Sequence, residues 1–181
     1  MILPLFRRPG RTIDALYGAI VAQARSAYFY AEMGVPDTVS GRFDMVLLHV
    51  VLVLRRLREG QAGERALAQG LFDAFCRDMD HNLREMGISD QGVPRQMHKV
   101  GAAFYGRAQA YEAALAEPGD GLAAALARNV YGVDEPPVAA VTLATYVRQA
   151  VDILSGQELG SLAAGRVSLP VPQAPAAAAV E

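Results

Sequence analysis

The sequence predicts an all-α fold, one compact domain of about six helices across residues 12–165. An N-terminal arm (1–11) precedes it, and a disordered Pro/Ala-rich tail (166–181) follows. Three observations carry this reading. Apolar residues recur at i, i+3 and i+4 along nearly the whole chain, the spacing of a helix with one buried face. No run alternates strictly with period two between turn signals, so no sheet is expected. Glycine and proline cluster at intervals that suit helix ends. With 181 residues, 52% of them hydrophobic, the chain can bury a sizeable core, which excludes disorder throughout.

Thr12 is a candidate N-cap for a first helix carrying Ile13, Leu16, Tyr17, Ile20, Val21, Ala24 and Tyr28 on one face. It is expected to reach Met33, where Gly34 and Pro36 stop it. Asp37, Thr38 and Ser40 are candidate caps for the second helix. Its broad stripe of Phe43, Val46, Leu47, Val50, Val51, Leu54 and Leu57 marks it as central, with neighbours on more than one side. Arg55, Arg56 and Arg58 complement the dipole at its C-terminal end. A third helix is expected from Ala62 to Met86, with Leu71, Phe72, Phe75, Met79, Leu83 and Met86 inward and Gly87 as terminator.

The fourth helix starts near Pro94, a good first-turn residue. It carries Met97, Val100, Phe104, Ala108, Tyr111 and Leu115 as far as the breaker "EPGDG". A short helix, Leu122 to Val130, precedes "YGVDEPP", and a long one runs from Pro137 to Leu154. Gln157 to Ala164 adds a final turn or two. The closing "VSLPVPQAPAAAAVE" offers little to bury and reads as the tail.

Composition narrows the function classes. A net charge of −2 provides no field pointing to nucleic acid. The single cysteine, Cys76, cannot form an internal disulfide and reads as a small buried hydrophobe. "MVLLHVVLVL", Met45 to Leu54, is far short of a membrane span, which needs about 20 apolar residues. "MILPLFRRPGR" places its apolar residues before its arginines, the reverse of a secretory signal. It reads either as a frayed terminus or as an arm resting on an anionic membrane surface.

Two polar stripes on the third helix bear on chemistry. Asp73, Arg77, Asp80 and Arg84 stand four, three and four apart, an alternating-charge stripe expected to be a solvated salt-bridge ladder. Asp78, His81, Asn82 and Glu85 form a second stripe that could face one ion, with His49 or His98 contributed from another helix. The paired Glu-x-x-His motifs of di-iron bundles and the HExxH of zinc proteases are both missing. His49 reads more simply as a core histidine bonded to backbone or a buried acid. Tyr17, Tyr28, Tyr105 and Tyr111 read as satisfied core groups. No GxSxG elbow, P-loop or dinucleotide-binding glycine pattern occurs. No enzyme activity and no cofactor are expected.

"YGAIVAQAR" (Tyr17–Arg25), "FYAEMGVPDTVSGRFDMVLLHVVLVLRRL" (Phe29–Leu57) and "LFDAFCRDMDHNLREMGISDQGVP" (Leu71–Pro94) resemble the ubiquinol–cytochrome c chaperone family. "FYGRAQAY" (Phe104–Tyr111) and "RNVYG" (Arg128–Gly132) extend the resemblance, which runs in order from Leu16 to Gly132 and not into the region after Val133. It implies an assembly factor for ubiquinol–cytochrome c reductase, respiratory complex III. Such a factor holds newly made cytochrome b before haem insertion and subunit joining, together with a small helper protein at the ribosomal exit. A bacterial member would act at the cytoplasmic face of the inner membrane. A holding protein should offer a groove with an apolar floor and a charged rim. The residues proposed to meet the partner or lipid headgroups are Arg42, Arg55, Arg56, Asp78, Asp80, Asn82, Arg84 and Glu85. The competing reading is a metal- or haem-binding bundle using His49, Asp78, His81, Glu85 and His98.

Overall fold

The computed structural model describes residues 9–172, and within them every regular element is helical. In order they are α1 (Pro9–Ala24), α2 (Ala27–Ala31), α3 (Val39–Arg58), α4 (Ala62–Glu85), α5 (Val93–Ala116), α6 (Gly121–Leu126), a π-helical turn (Ala127–Tyr131), α7 (Val138–Gly156) and α8 (Leu159–Ala163). Among these residues no helix is long and apolar enough to cross a membrane.

The first expected helix is two. It starts at Pro9, inside the stretch read as an arm, because proline loses no internal bond at a first helical position. Thr12 is therefore not its cap; it lies within α1 and is only 4% exposed. The chain then breaks at Arg25 and Ser26, where Ser26 is extended (φ −55°, ψ 127°). The break swings Phe29 into the core, edge-on to His49 and Tyr146 at 5.5 and 5.0 Å between ring centres. The Tyr30 hydroxyl fastens it by donating to Ala24 O at 2.8 Å. Apolar spacing conceals the break because both pieces are amphipathic.

α3 is the central helix and packs against α1, α4, α5 and α7. Its cap is Thr38, whose Oγ1 accepts from the Gly41 amide at 3.1 Å. Gly41 allows the close approach of Pro36: a Cβ there would lie 2.0 Å from Pro36 O. α4 opens on a capping box between Gln61 and Glu64 and closes at Gly87, left-handed at φ +82°. Met86 falls just beyond the helix and is 53% exposed, not inward-facing, because no neighbour covers the last turns of α4. Tyr105, expected in the core, is 63% exposed.

His49 is fully buried and fully bonded. Nδ1 lies 2.7 Å from Met45 O and Nε2 2.8 Å from the Tyr146 hydroxyl, which in turn accepts from Gln23 Nε2 at 3.0 Å. A consistent chain of donors results: the amide to Tyr146, Tyr146 to Nε2, and Nδ1–H to Met45 O. Burial, partly offset by the Met45 carbonyl, pushes the imidazole down to about 4, so it stays neutral at pH 7.

Part of the stretch read as tail is held in place. Gln157 brackets it, donating to Arg166 O and accepting from the Ser168 amide. Gln23 donates to Pro170 O at 2.7 Å, Pro170 is buried, and Val167 and Leu169 pack against the core. Composition fails here because single apolar residues and backbone carbonyls suffice to fix seven residues on a preformed surface. The remainder of the expected tail (173–181) and of the expected arm (1–8) lies outside the described residues.

Candidate functional site

The uncovered end of α4 forms one wall of a cleft of about 750 Å³. Asp78, Asn82 and Glu85 stand at i, i+4 and i+7 on α4, interleaved with Met79, Leu83 and Met86. The opposite sides come from Arg25 at the α1–α2 break, from the first turns of α3 (Val39, Ser40, Arg42, Phe43, Val46) and from α5 (Gln96, Lys99, Val100, Ala103). Phe43, Val46, Met79, Leu83 and Val100 give an apolar floor; carboxylates, guanidinium groups, an ammonium and amides ring it.

The rim is held by neighbours. The Tyr17 hydroxyl donates to Asp78 Oδ2 at 2.6 Å, and burial with that carboxylate holds the phenol well above its ordinary range. Arg42 donates from Nε to Asp37 at 2.6 Å and lies over the Tyr30 ring at 5.9 Å. Its hydrogen bond keeps the Asp37 carboxyl below the usual carboxylate range. Arg25 and Arg42 also line a smaller adjoining hollow of about 400 Å³ with Tyr30, Ala27, Ala31 and Asp37.

The structure brings four of the eight proposed partner residues together: Arg42, Asp78, Asn82 and Glu85 line the cleft. Asp80 and Arg84 pair with each other at 2.8 Å outside it, and Arg84 also bonds Asp90. The expected ladder thus runs through Asp80, Arg84 and Asp90, while Asp73 accepts from Gln69. Arg55 pairs with Glu112 on α5. Arg56 donates to Leu154 O and Gln157 O at 2.8 and 3.0 Å, capping the C-terminal end of α7. Sequence reasoning missed Arg25, Phe43 and Lys99 as cleft residues. Arg25 sits on a break that spacing hides, and Phe43 reads as ordinary core.

The residues weighed as metal or haem ligands are scattered. His49 is in the core, His98 is exposed on α5, and His81 lies 4.0 Å from Glu85 with both exposed. Among the described residues no group of three His, Cys, Asp or Glu side chains is placed to hold a metal ion. Cys76 is half-buried, and burial pushes its thiol up, away from the reactive thiolate. The arrangement is suited to hold an amphipathic surface.

A family profile described as Ubiquinol-cytochrome C chaperone matches residues 31–169. The chain belongs to the ubiquinol–cytochrome c chaperone family. The match runs through α7 to the segment after α8, so the family extends beyond Val133, where the resemblance read from motifs stopped. The chain is 28% identical over 149 residues to the Ubiquinol-cytochrome c reductase complex assembly factor 1 of Mus musculus, covering 80% of this chain and 50% of that protein. With the Homo sapiens protein of the same name it shares 28% over 158 residues, covering 84% and 52%. For the Xenopus laevis counterpart the identity is 28% over 149 residues, covering 80% and 74%. This chain therefore spans about half the length of the mouse and human relatives. The crystal structure of the Cbp3 homolog from Brucella abortus is similar at a TM-score of 0.83 and 44% identity, covering 97% of this chain and 100% of that one.

Proposed function

We propose that this chain is an assembly chaperone, not an enzyme, for ubiquinol–cytochrome c reductase, and that its client is newly made cytochrome b, held before haem insertion and subunit joining. Family membership supports the coarse reading. The observation that carries the finer one is the cleft: an apolar floor of Phe43, Val46, Met79, Leu83 and Val100 inside a rim of both charge signs. A membrane protein not yet assembled exposes apolar helices joined by charged loops. A cleft of this kind holds such a helix by its apolar face and reads the flanking charges. The chaperone works at the cytoplasmic face of the inner membrane as a peripheral protein, with a small helper protein and the ribosome as further partners.

The test separates the cleft from the outer face of α4. Glu85→Lys and Asn82→Lys act on the cleft rim, whereas Asp80→Lys acts outside it. Copurification of unassembled cytochrome b with the tagged protein should fall for the first two and persist for the third. Equal capture by all three would remove the cleft from the account.

A further inference from the structure

Asp44, on α3 and 4% exposed, lies with Oδ1 2.9 Å from Nη2 of Arg107 on α5. Taking two charges out of water costs several kcal/mol per ion, so a buried pair is weak evidence of stabilisation. This pair is also incompletely bonded: Asp44 Oδ1, Arg107 Nε and the nearby Tyr111 hydroxyl are buried without a hydrogen-bond partner. The contact at 2.9 Å is close enough for an ion pair but not aligned as a hydrogen bond.

The location is informative. Arg107 lies over the Phe43 ring, its Cζ 6.0 Å from the centroid. Phe43 is the residue before Asp44 and lines the cleft, and so does Ser40, one turn back and near the Asp44 carboxyl. Phe75 of α4 also meets Phe43, at 6.2 Å between ring centres. The Phe43 ring thus contacts both Phe75 and a guanidinium that is paired with Asp44.

We infer that Asp44 and Arg107 are a positioning pair for Phe43, so that the buried ion pair sets the shape of the cleft floor and acid loosens it. The inference rests on the reading of the cleft as a docking site. The groups that face Asp44 are Arg107 and Tyr111 of α5 and the Ser40 hydroxyl of its own helix. Burial, opposed by Arg107, pushes its carboxyl up to about 6. As pH falls through that value Asp44 becomes neutral, Arg107 loses its counter-charge, and the guanidinium is released from the ring.

The experiment labels the purified full chain with fluorinated phenylalanine and follows the Phe43 resonance, assigned with Phe43→Leu, from about pH 8 to pH 5. The Phe43 signal should titrate with a midpoint near 6, while that of Phe29, which neighbours neutral His49, stays flat. In Asp44→Asn combined with Arg107→Gln, which leaves no unpaired charge, the titration should vanish. Binding of the amphipathic anionic dye anilinonaphthalene sulfonate should then weaken roughly fivefold, the size of one coupled contact. Arg107→Lys keeps the charge but not the planar stack, so its Phe43 signal should be displaced yet still titrate. A flat Phe43 signal in the wild-type protein overturns the inference, and so does unchanged dye affinity in a folded double variant. Neither readout contains cytochrome b, so failure here is distinct from failure of the client assignment.

Discussion

At the residue scale, two buried titratable groups give the molecule an unusual acid response. His49 is held down to about 4 and Asp44 is raised to about 6. For His49, the unfolded chain binds the extra proton between its ordinary value of 6.5 and 4, so its contribution is full above 6.5 and is lost as pH falls. For Asp44, the folded protein binds the extra proton between 6 and 3.8, so stability rises as pH falls through that window. Each displacement is worth roughly 3 kcal/mol, and the two oppose each other. Urea unfolding should therefore change little between about pH 6 and pH 4.5 in the wild-type protein. In Asp44→Asn with Arg107→Gln it should fall steadily there, because only the His49 effect remains. Tyr146→Phe should cost about 1–3 kcal/mol at pH 7, since His49 Nε2 loses its donor and Gln23 an acceptor inside the core. The histidine was legible in the sequence as a core group. Its partner was not, because Tyr146 stands 97 residues away and no local spacing connects the two.

At the element scale, helix ends were as legible as helix faces where the cap is local. Thr38, Pro94 and Gly87 sit where their chemistry requires, since each cap is completed within a few residues. Thr38→Ala should lower stability by about 1 kcal/mol in chemical denaturation. Gly41→Ala should cost more than Thr38→Ala, since its Cβ would meet the rigid backbone of Pro36. The break at Ser26 and the π-helical turn at Ala127–Tyr131 were not legible. Both are set by tertiary bonds: Phe29 against Tyr146, and the Tyr131 hydroxyl donating to Met33 O at 2.8 Å. Arg56 shows the same limit. It reads as a dipole-matching or partner-facing charge, yet it donates to two carbonyls at the end of α7. Arg56→Ala should destabilise by about 1–3 kcal/mol through those carbonyls, without changing what the cleft holds.

At the scale of the whole molecule, the cleft lies where the end of α4 meets the α1–α2 break and the starts of α3 and α5. The break at Arg25, the start of α3 at Val39 and the first turns of α5 stand around the last two turns of α4, whose Arg84 and Glu85 stay exposed. One wall was legible in the sequence, since Asp78, Asn82 and Glu85 share a helical face. The other walls were not, because they combine the starts and ends of three further elements. The central claim is that this cleft holds cytochrome b. It is tested most directly by placing a photoactivatable crosslinker at Val100 in the cleft and, as control, at the exposed Val141 of α7. Irradiation of respiring cells should yield an adduct with unassembled cytochrome b from Val100 and none from Val141. Adducts from Val141 alone, or from neither position while the tagged protein still copurifies with cytochrome b, would contradict the account.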